Sequence, residues 1–342
     1  MKARLVLLSM VLSGAVVAPS DNVSAKPQVL VKCPTAQFLN LSKSKGAGDG
    51  YVKPSQKVVC TATEVEVTSN NMISYPFVSK TPHQLLPQNL AVKFPRIPVL
   101  ASSPTRIVNR LGTLGITTSG LLVYGATEGP VPTESAYGDP YYNKMLDNCG
   151  GHAGPQSEYH LHVLITIAIC NLKKTGIIGY AIDGFPIYGP TGCLNLKCTK
   201  TALVKSGYVL TGDPKKNVWD AYKYNATPSS TILDECNGRI QPDGTYGYHA
   251  TLSFPYILGC LRGTPTTQTG AAAAPMDMGG GAGPKPGGPP PGGPPPGGPP
   301  PGGPQPGGPQ PGGPPPSTIK SNSVGLQLSG NENSIYCILN WY

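Results

Sequence analysis

Between residues 26 and 263 the apolar positions come in short runs broken every few residues by Gly, Pro, Asn or Asp, and long helical periodicity is missing. Such runs, rich in Val, Ile, Leu and Tyr, read as strands. Two of them, Tyr180–Ala181–Ile182 and Phe185–Pro186–Ile187–Tyr188, flank Asp183–Gly184. Asp-Gly between apolar runs signals a hairpin in which both turn residues take positive φ. Ser119–Gly120 marks the same turn earlier: Gly112, Gly115, Gly120, Tyr124 and Gly125 recur at equal spacing as Gly176, Gly179, Gly184, Tyr188 and Gly189. The Gly-x-x-Gly spacing is no phosphate loop, because no Lys-Ser/Thr follows and no helix opens there.

A second echo follows each hairpin. Leu146–Asp147–x–Cys149–x–Gly151, Pro155, Tyr159 and His162 recur as Leu233–Asp234–x–Cys236–x–Gly238, Pro242, Tyr246 and His249. The order hairpin, site, hairpin, site predicts a mostly β single domain of two pseudo-repeated halves, each a hairpin plus a His/Cys segment. Packed face to face, the halves would bring the two site segments together.

The chain ends are of other kinds. Lys2 and Arg4 precede an apolar stretch, Leu5 to Val17, and then small residues, with cleavage expected after Ala18 or Ala25. That order is a secretory signal peptide, residues 1–25, and the stretch is short of the ~20 residues a membrane span needs. Residues 26–89 open the globular region and 90–263 carry the echoes. Residues 264–316 are a Pro/Gly-rich low-complexity tail in which a Pro-Gly-Gly-Pro-Pro unit recurs from Pro286 to about Pro315. A period of five excludes collagen, and a segment with almost nothing apolar to bury is expected to be a disordered, extended tether. A short segment, 317–342, closes with Ile335–Tyr336–Cys337–Ile338–Leu339, a candidate edge strand.

Nine cysteines include no CxxC pair, so thiolate zinc and thioredoxin-like sites are not expected and disulfides are. The candidates are Cys33, Cys60, Cys149, Cys170, Cys193, Cys198, Cys236 and Cys260, leaving Cys337 as a free thiol or for a bridge to another chain. Sequons at Asn22, Asn40 and Asn225 fit an exported chain; Asn22 is lost if cleavage follows Ala25. The formal charge of +9 is dispersed, two of it in the leader. Without a basic patch or module, nucleic acid is excluded as a partner, while acidic polymers or matrix components remain.

Four of the five histidines lie in the echoed segments: His152, His160, His162 and His249, with His83 alone and expected at the surface. On a strand, His160 and His162 share one face. His152, from a Gly-rich loop, would fold back as a third ligand and His249 would arrive from the other half. Imidazole-rich sites suit Cu or Zn, while calcium wants oxygen donors. Asp147 and Asp234 are expected to hold ring N–H groups from behind. No G-x-S-x-G elbow is present, so no triad nucleophile accompanies the cluster. Tyr159, Tyr180, Tyr188, Tyr246 and Tyr248 either pack as strand residues or line a binding pocket.

Leu146–Asp147–Asn148–Cys149–Gly150–Gly151–His152 with Tyr159–His160–Leu161–His162 resembles the YHYH domain family, over roughly residues 90 to 263. Gly179–Tyr180–Ala181–Ile182–Asp183–Gly184–Phe185–Pro186–Ile187–Tyr188–Gly189, Leu233–Asp234–Glu235–Cys236–Asn237–Gly238 and Phe254–Pro255–Tyr256 extend it. Leu161 stands where the pattern has its second tyrosine. The second segment reads Tyr246–Gly247–Tyr248–His249, with glycine where the pattern has histidine. The resemblance implies a secreted module and names no reaction. The reading that follows is a secreted extracellular matrix protein, of a shell or other mineralised matrix, with a metal-binding module. The alternatives are a His-ligated Cu/Zn metalloenzyme and a carbohydrate- or protein-binding module that uses the tyrosines.

Overall fold

The computed structural model describes residues 33–129, 137–166 and 168–273. The chain divides into two units, Met1–Gly281 and Ala282–Tyr342. The second lies wholly outside the described residues, as do residues 1–32, where the leader is expected, the repeat and Cys337.

The described residues are mostly β. β1 (Gln56–Cys60), β2 (Glu64–Ser69) and β3 (Leu90–Pro95) form an antiparallel sheet in the order β1-β2-β3. β2 and β3 alternate buried and half-exposed positions, so Val65, Val67, Leu90, Val92 and Phe94 face the core, as a one-sided sheet requires. β4 (Leu100–Arg106) pairs with the last strand, β17.

A second sheet carries the echoed motifs. Its strands are β5 (Gly115–Thr117), β6 (Leu122–Val123), β7 (Gly151–Ala153), β8 (Tyr159–Leu161), β9 (Ile177–Ala181) and β10 (Pro186–Tyr188). Two-stranded ribbons follow: β11 (Thr191–Cys193) with β12 (Thr201–Leu203), and β13 (Tyr208–Leu210) with β14 (Tyr222–Tyr224). Before β14 stands α1 (Val218–Ala221), capped by the Asn217 side chain accepting from Trp219 N–H. β15 (Gly238–Ile240) and β16 (Tyr246–His249) complete the large sheet, and β17 (Cys260–Gly263) ends the strands.

The large sheet runs β15-β16-β10-β9-β5-β6-β8-β7. Outward from the antiparallel centre, β9/β5, each side meets a hairpin partner (β10 or β6), a parallel neighbour (β16 or β8) and an antiparallel edge strand (β15 or β7). Gly115 and Gly179 permit that centre: a Cβ on Gly115 would lie 2.6 Å from the Tyr180 carbonyl, and one on Gly179 2.9 Å from that of Ile116.

Two expectations are corrected. The segments lie side by side in one sheet, not face to face, and five inter-strand steps of about 4.8 Å separate β8 from β16, about 24 Å. In the hairpins only Gly120 (φ +79°) and Gly184 (φ +87°) are left-handed; Ser119 and Asp183 are not. Gly120 N–H donates to Thr117 O and Gly184 N–H to Ala181 O. These are longer turns closed by one left-handed glycine, so Asp183 needs no strained φ. Its carboxylate instead accepts from Tyr248 O–H and Gly263 N–H.

All eight candidate cysteines pair within the chain, as Cys33–Cys60, Cys149–Cys170, Cys193–Cys198 and Cys236–Cys260. No helix among the described residues is long and apolar enough to cross a membrane. Asn40 and Asn225 are exposed. The five tyrosines named above lie in the core or at its margin, four of them buried, so they form no binding surface.

Candidate metal centre

β7 begins where Asp147 folds the chain. Its Oδ1 accepts from Cys149 N–H at 2.8 Å and Gly151 N–H at 3.3 Å, and Oδ2 takes the Tyr159 hydroxyl at 2.6 Å. Gly150 is left-handed (φ +89°), and a Cβ there would run into the Val163 carbonyl. The Cys149–Cys170 disulfide ties down the same turn. This bracing puts His152 at the middle of β7, directly across from His160 at the middle of β8. His162, two residues past His160, presents its ring on the same side.

Three imidazoles and one carboxylate converge. The Nε2 atoms of His152 and His160 are 2.8 Å apart, and Glu128 Oε2 lies 2.9 Å from His152 Nε2 and 3.4 Å from His162 Nε2. All four donor atoms fall within 4.8 Å of one another. The histidine side chains are 1–3% exposed and Glu128 is 19% exposed. Tetrahedral donors at zinc's bond lengths stand about 3.4 Å apart; the Glu128–His162 separation equals this, and the two shorter ones would open by about half an ångström around an ion.

Protons decide what the cluster needs. His152 Nδ1 faces Met145 O at 3.1 Å and His162 Nδ1 faces Gly125 O at 2.6 Å. A carbonyl only accepts, so both rings carry their proton on Nδ1 and turn an Nε2 lone pair inward. His160 Nδ1 faces Glu158 Oε1 at 3.5 Å, an ion-pair distance too long for a well-formed hydrogen bond. His162 Nε2 and Glu128 Oε2 have no hydrogen-bond partner. Burial pushes His160 down to about 4, against the pull of Glu158, so the ring is neutral at neutral pH. Of the four inward atoms only His160 Nε2 has room for a proton, shared with His152 Nε2, so lone pairs outnumber protons at one buried spot, and a cation satisfies all four at once. The Tyr124 ring stacks on His160, centroids 4.0 Å apart, and fixes its plane.

The structure brings together His152, His160 and His162 of the four expected ligands. His249 stands apart: its Nδ1 faces Gly189 O at 2.8 Å, and Arg239 and Gln241 meet its Nε2 at 3.2 and 3.0 Å. Asp147 and Asp234 touch no imidazole among their hydrogen bonds. They accept from turn amides and from Tyr159 and Tyr246 hydroxyls, the Asp234 bonds being 2.9 Å to Cys236 N–H and 3.0 Å to Tyr246 O–H. His152 comes from a strand rather than a loop. The fourth donor, Glu128, went unforeseen, because a lone acid in an irregular loop has no periodicity to give it away. Glu158 had a signal: two residues before His160, it shares that strand's face. A second cluster, Glu235, Cys236 and Cys260, is no candidate, because its sulfurs are joined to each other.

The family model for the YHYH protein matches residues 91–263, just over half of the 342-residue chain. The chain belongs to the YHYH family. Comparison with curated proteins and with solved structures gives no match. In this YHYH domain the named motif splits by role. Tyr159 is buried and donates to Asp147, while His160 and His162 turn into the cluster.

Proposed function

We propose that this YHYH protein holds one first-row transition ion, zinc or copper, between Glu128, His152, His160 and His162. The observation that supports it is the convergence of three inward Nε2 atoms and one carboxylate oxygen, two of the four without any hydrogen-bond partner. Three nitrogens and one oxygen fill a tetrahedron, which favours a structural or ion-holding centre over one with an open catalytic position. The rest of the reading is an exported matrix protein. It rests on the leader-like Leu5–Val17 stretch, four disulfides and the Pro/Gly repeat.

Elemental analysis of the purified chain tests the ion. One zinc or copper per chain is expected, with His160→Ala/His162→Ala protein nearly empty. Equal, negligible metal in both ends the proposal. For the matrix role, the protein should partition with the insoluble extracellular fraction. Recovery only as a freely diffusing monomer counts against that part and leaves the ion untouched.

A further inference from the structure

The far end of the sheet contains a second cluster built on the same backbone. Asp234 Oδ1 accepts from Cys236 and Gly238 N–H as Asp147 Oδ1 does from Cys149 and Gly151. Tyr246 O–H meets Asp234 as Tyr159 meets Asp147. His249 Nδ1 faces Gly189 O as His162 Nδ1 faces Gly125 O. Asn237 repeats the left-handed turn of Gly150, and Cys236–Cys260 repeats Cys149–Cys170. At the spacing that relates the site segments, His152, His160 and His162 correspond to Arg239, Gly247 and His249, and at the separate spacing that relates Gly125 to Gly189, Glu128 corresponds to Gly192.

Each change serves one occupant. Arg239, 6% exposed, brings its guanidinium in among acceptors. Its Nε donates to His249 Nε2 at 3.2 Å, Nη1 to Ser230 O at 2.7 Å, and Nη2 to Cys193 O at 2.7 Å and Gln241 Oε1 at 3.1 Å. A Cβ on Gly192 would lie 2.6 Å from Nη2, so glycine there makes room for it. A Cβ on Gly247 would lie 2.5 Å from the Tyr188 ring, which fills the space an imidazole would need. The charge balances too. A divalent ion beside Glu128 carries net +1, and a guanidinium with no carboxylate carries the same.

We propose that the Arg239 guanidinium is a built-in cation standing where a metal ion would sit, so that the chain binds one ion and its second half is a closed cation site. This rests on the metal reading of the first half, whose lone pairs call for the charge that Arg239 supplies here.

The test is the zinc content of the full chain carrying Arg239→His and Gln241→Glu, which sets two imidazoles and a carboxylate around the vacated space without touching Gly247. The expected result is a rise of one zinc per chain over wild type. A variant that retains the wild-type near-UV signature and gains no zinc overturns the inference. If wild type holds none and the variant holds one, the first-half reading fails and the count of one ion falls with it, while the assignment of Arg239 as the occupant of the second-half cation site stands on its own. Should the variant not fold, Arg239→Ala decides. Its lowered melting temperature should recover with methylguanidinium and not with methylammonium at equal ionic strength. Equal response to both salts, or to neither, overturns the inference.

Discussion

Behind His160 stands a carboxylate, while behind His152 and His162 stand backbone carbonyls. A carboxylate raises the basicity of the imidazole it backs and fixes its tautomer. Glu158 should therefore tune affinity more than fold. Glu158→Gln is expected to weaken zinc binding by about 10–100-fold, read by competition with a chromophoric chelator, and unchanged affinity would reduce Glu158 to a wall of the site. His249 titrates on different terms. Burial pushes it down to about 4, the Arg239 charge adds to the fall and the Gly189 carbonyl opposes it. The unfolded chain then binds a proton on His249 between pH 6.5 and about 4 that the folded chain refuses. Its contribution is intact above 6.5 and drains away as pH falls to about 4, by about 3 kcal/mol. Urea midpoints across that window should fall less in His249→Gln than in wild type; parallel curves would mean that the ring protonates freely in the fold. Residue chemistry was partly legible in advance. Imidazoles are scarce here and two of them sit two apart, one on β8 and one just past its end, so their meeting could be read. Which carbonyl faces which nitrogen depends on loops around Gly125 and Met145 that carry no pattern.

The elements that place the cluster are short: β7 and β8 have three residues each and β6 two. Such strands are held by their turns more than by their ladders, so the turn before β7 is where a small change should cost most. Gly150→Ala asks an L-residue to take φ +89° with its Cβ against the Val163 carbonyl, for an expected loss of about 2–3 kcal/mol by chemical denaturation. The corresponding Asn237, at φ +64°, is a residue that tolerates that region, and its buried amide donates to the His249 carbonyl at 2.8 Å, so its side chain holds the second turn as well as fitting it. A loss below about 0.5 kcal/mol in Gly150→Ala would refute the strain argument. The hairpins at Gly120 and Gly184 could be read from the sequence because a left-handed turn leaves a glycine behind. Strand order could not, since β5 to β8 are buried at every position and show no alternation to separate one face from the other. β2 and β3, buried on one side only, show it clearly.

For the molecule as a whole, one sheet has two ends that answer differently to the loss of an ion. The edge with β7 and β8 is tied to the loop bearing Glu128 by the proposed metal, whereas the edge with β15 and β16 is tied to Cys193 and Ser230 by Arg239. A ligand present at a hundred times its dissociation constant adds about 2.7 kcal/mol to stability. In a domain of this size that is a melting shift of roughly 5–10 °C. A strong chelator should therefore lower the melting temperature of wild type by that order and leave His160→Ala/His162→Ala protein where it already is. The loss should also be local. After chelation, amide hydrogen exchange is expected to quicken in β7, β8 and residues 124–128, while β15 and β16 keep their protection, because Arg239 cannot be chelated away. The disulfides keep the apo chain folded for the measurement: closing loops of 21 to 27 residues at Cys149–Cys170, Cys236–Cys260 and Cys33–Cys60 is worth about 3–4 kcal/mol each. Uniform quickening across the sheet would mean that the two ends unfold as one cooperative unit, and an unchanged pattern would mean that no ion was bridging β7 to Glu128.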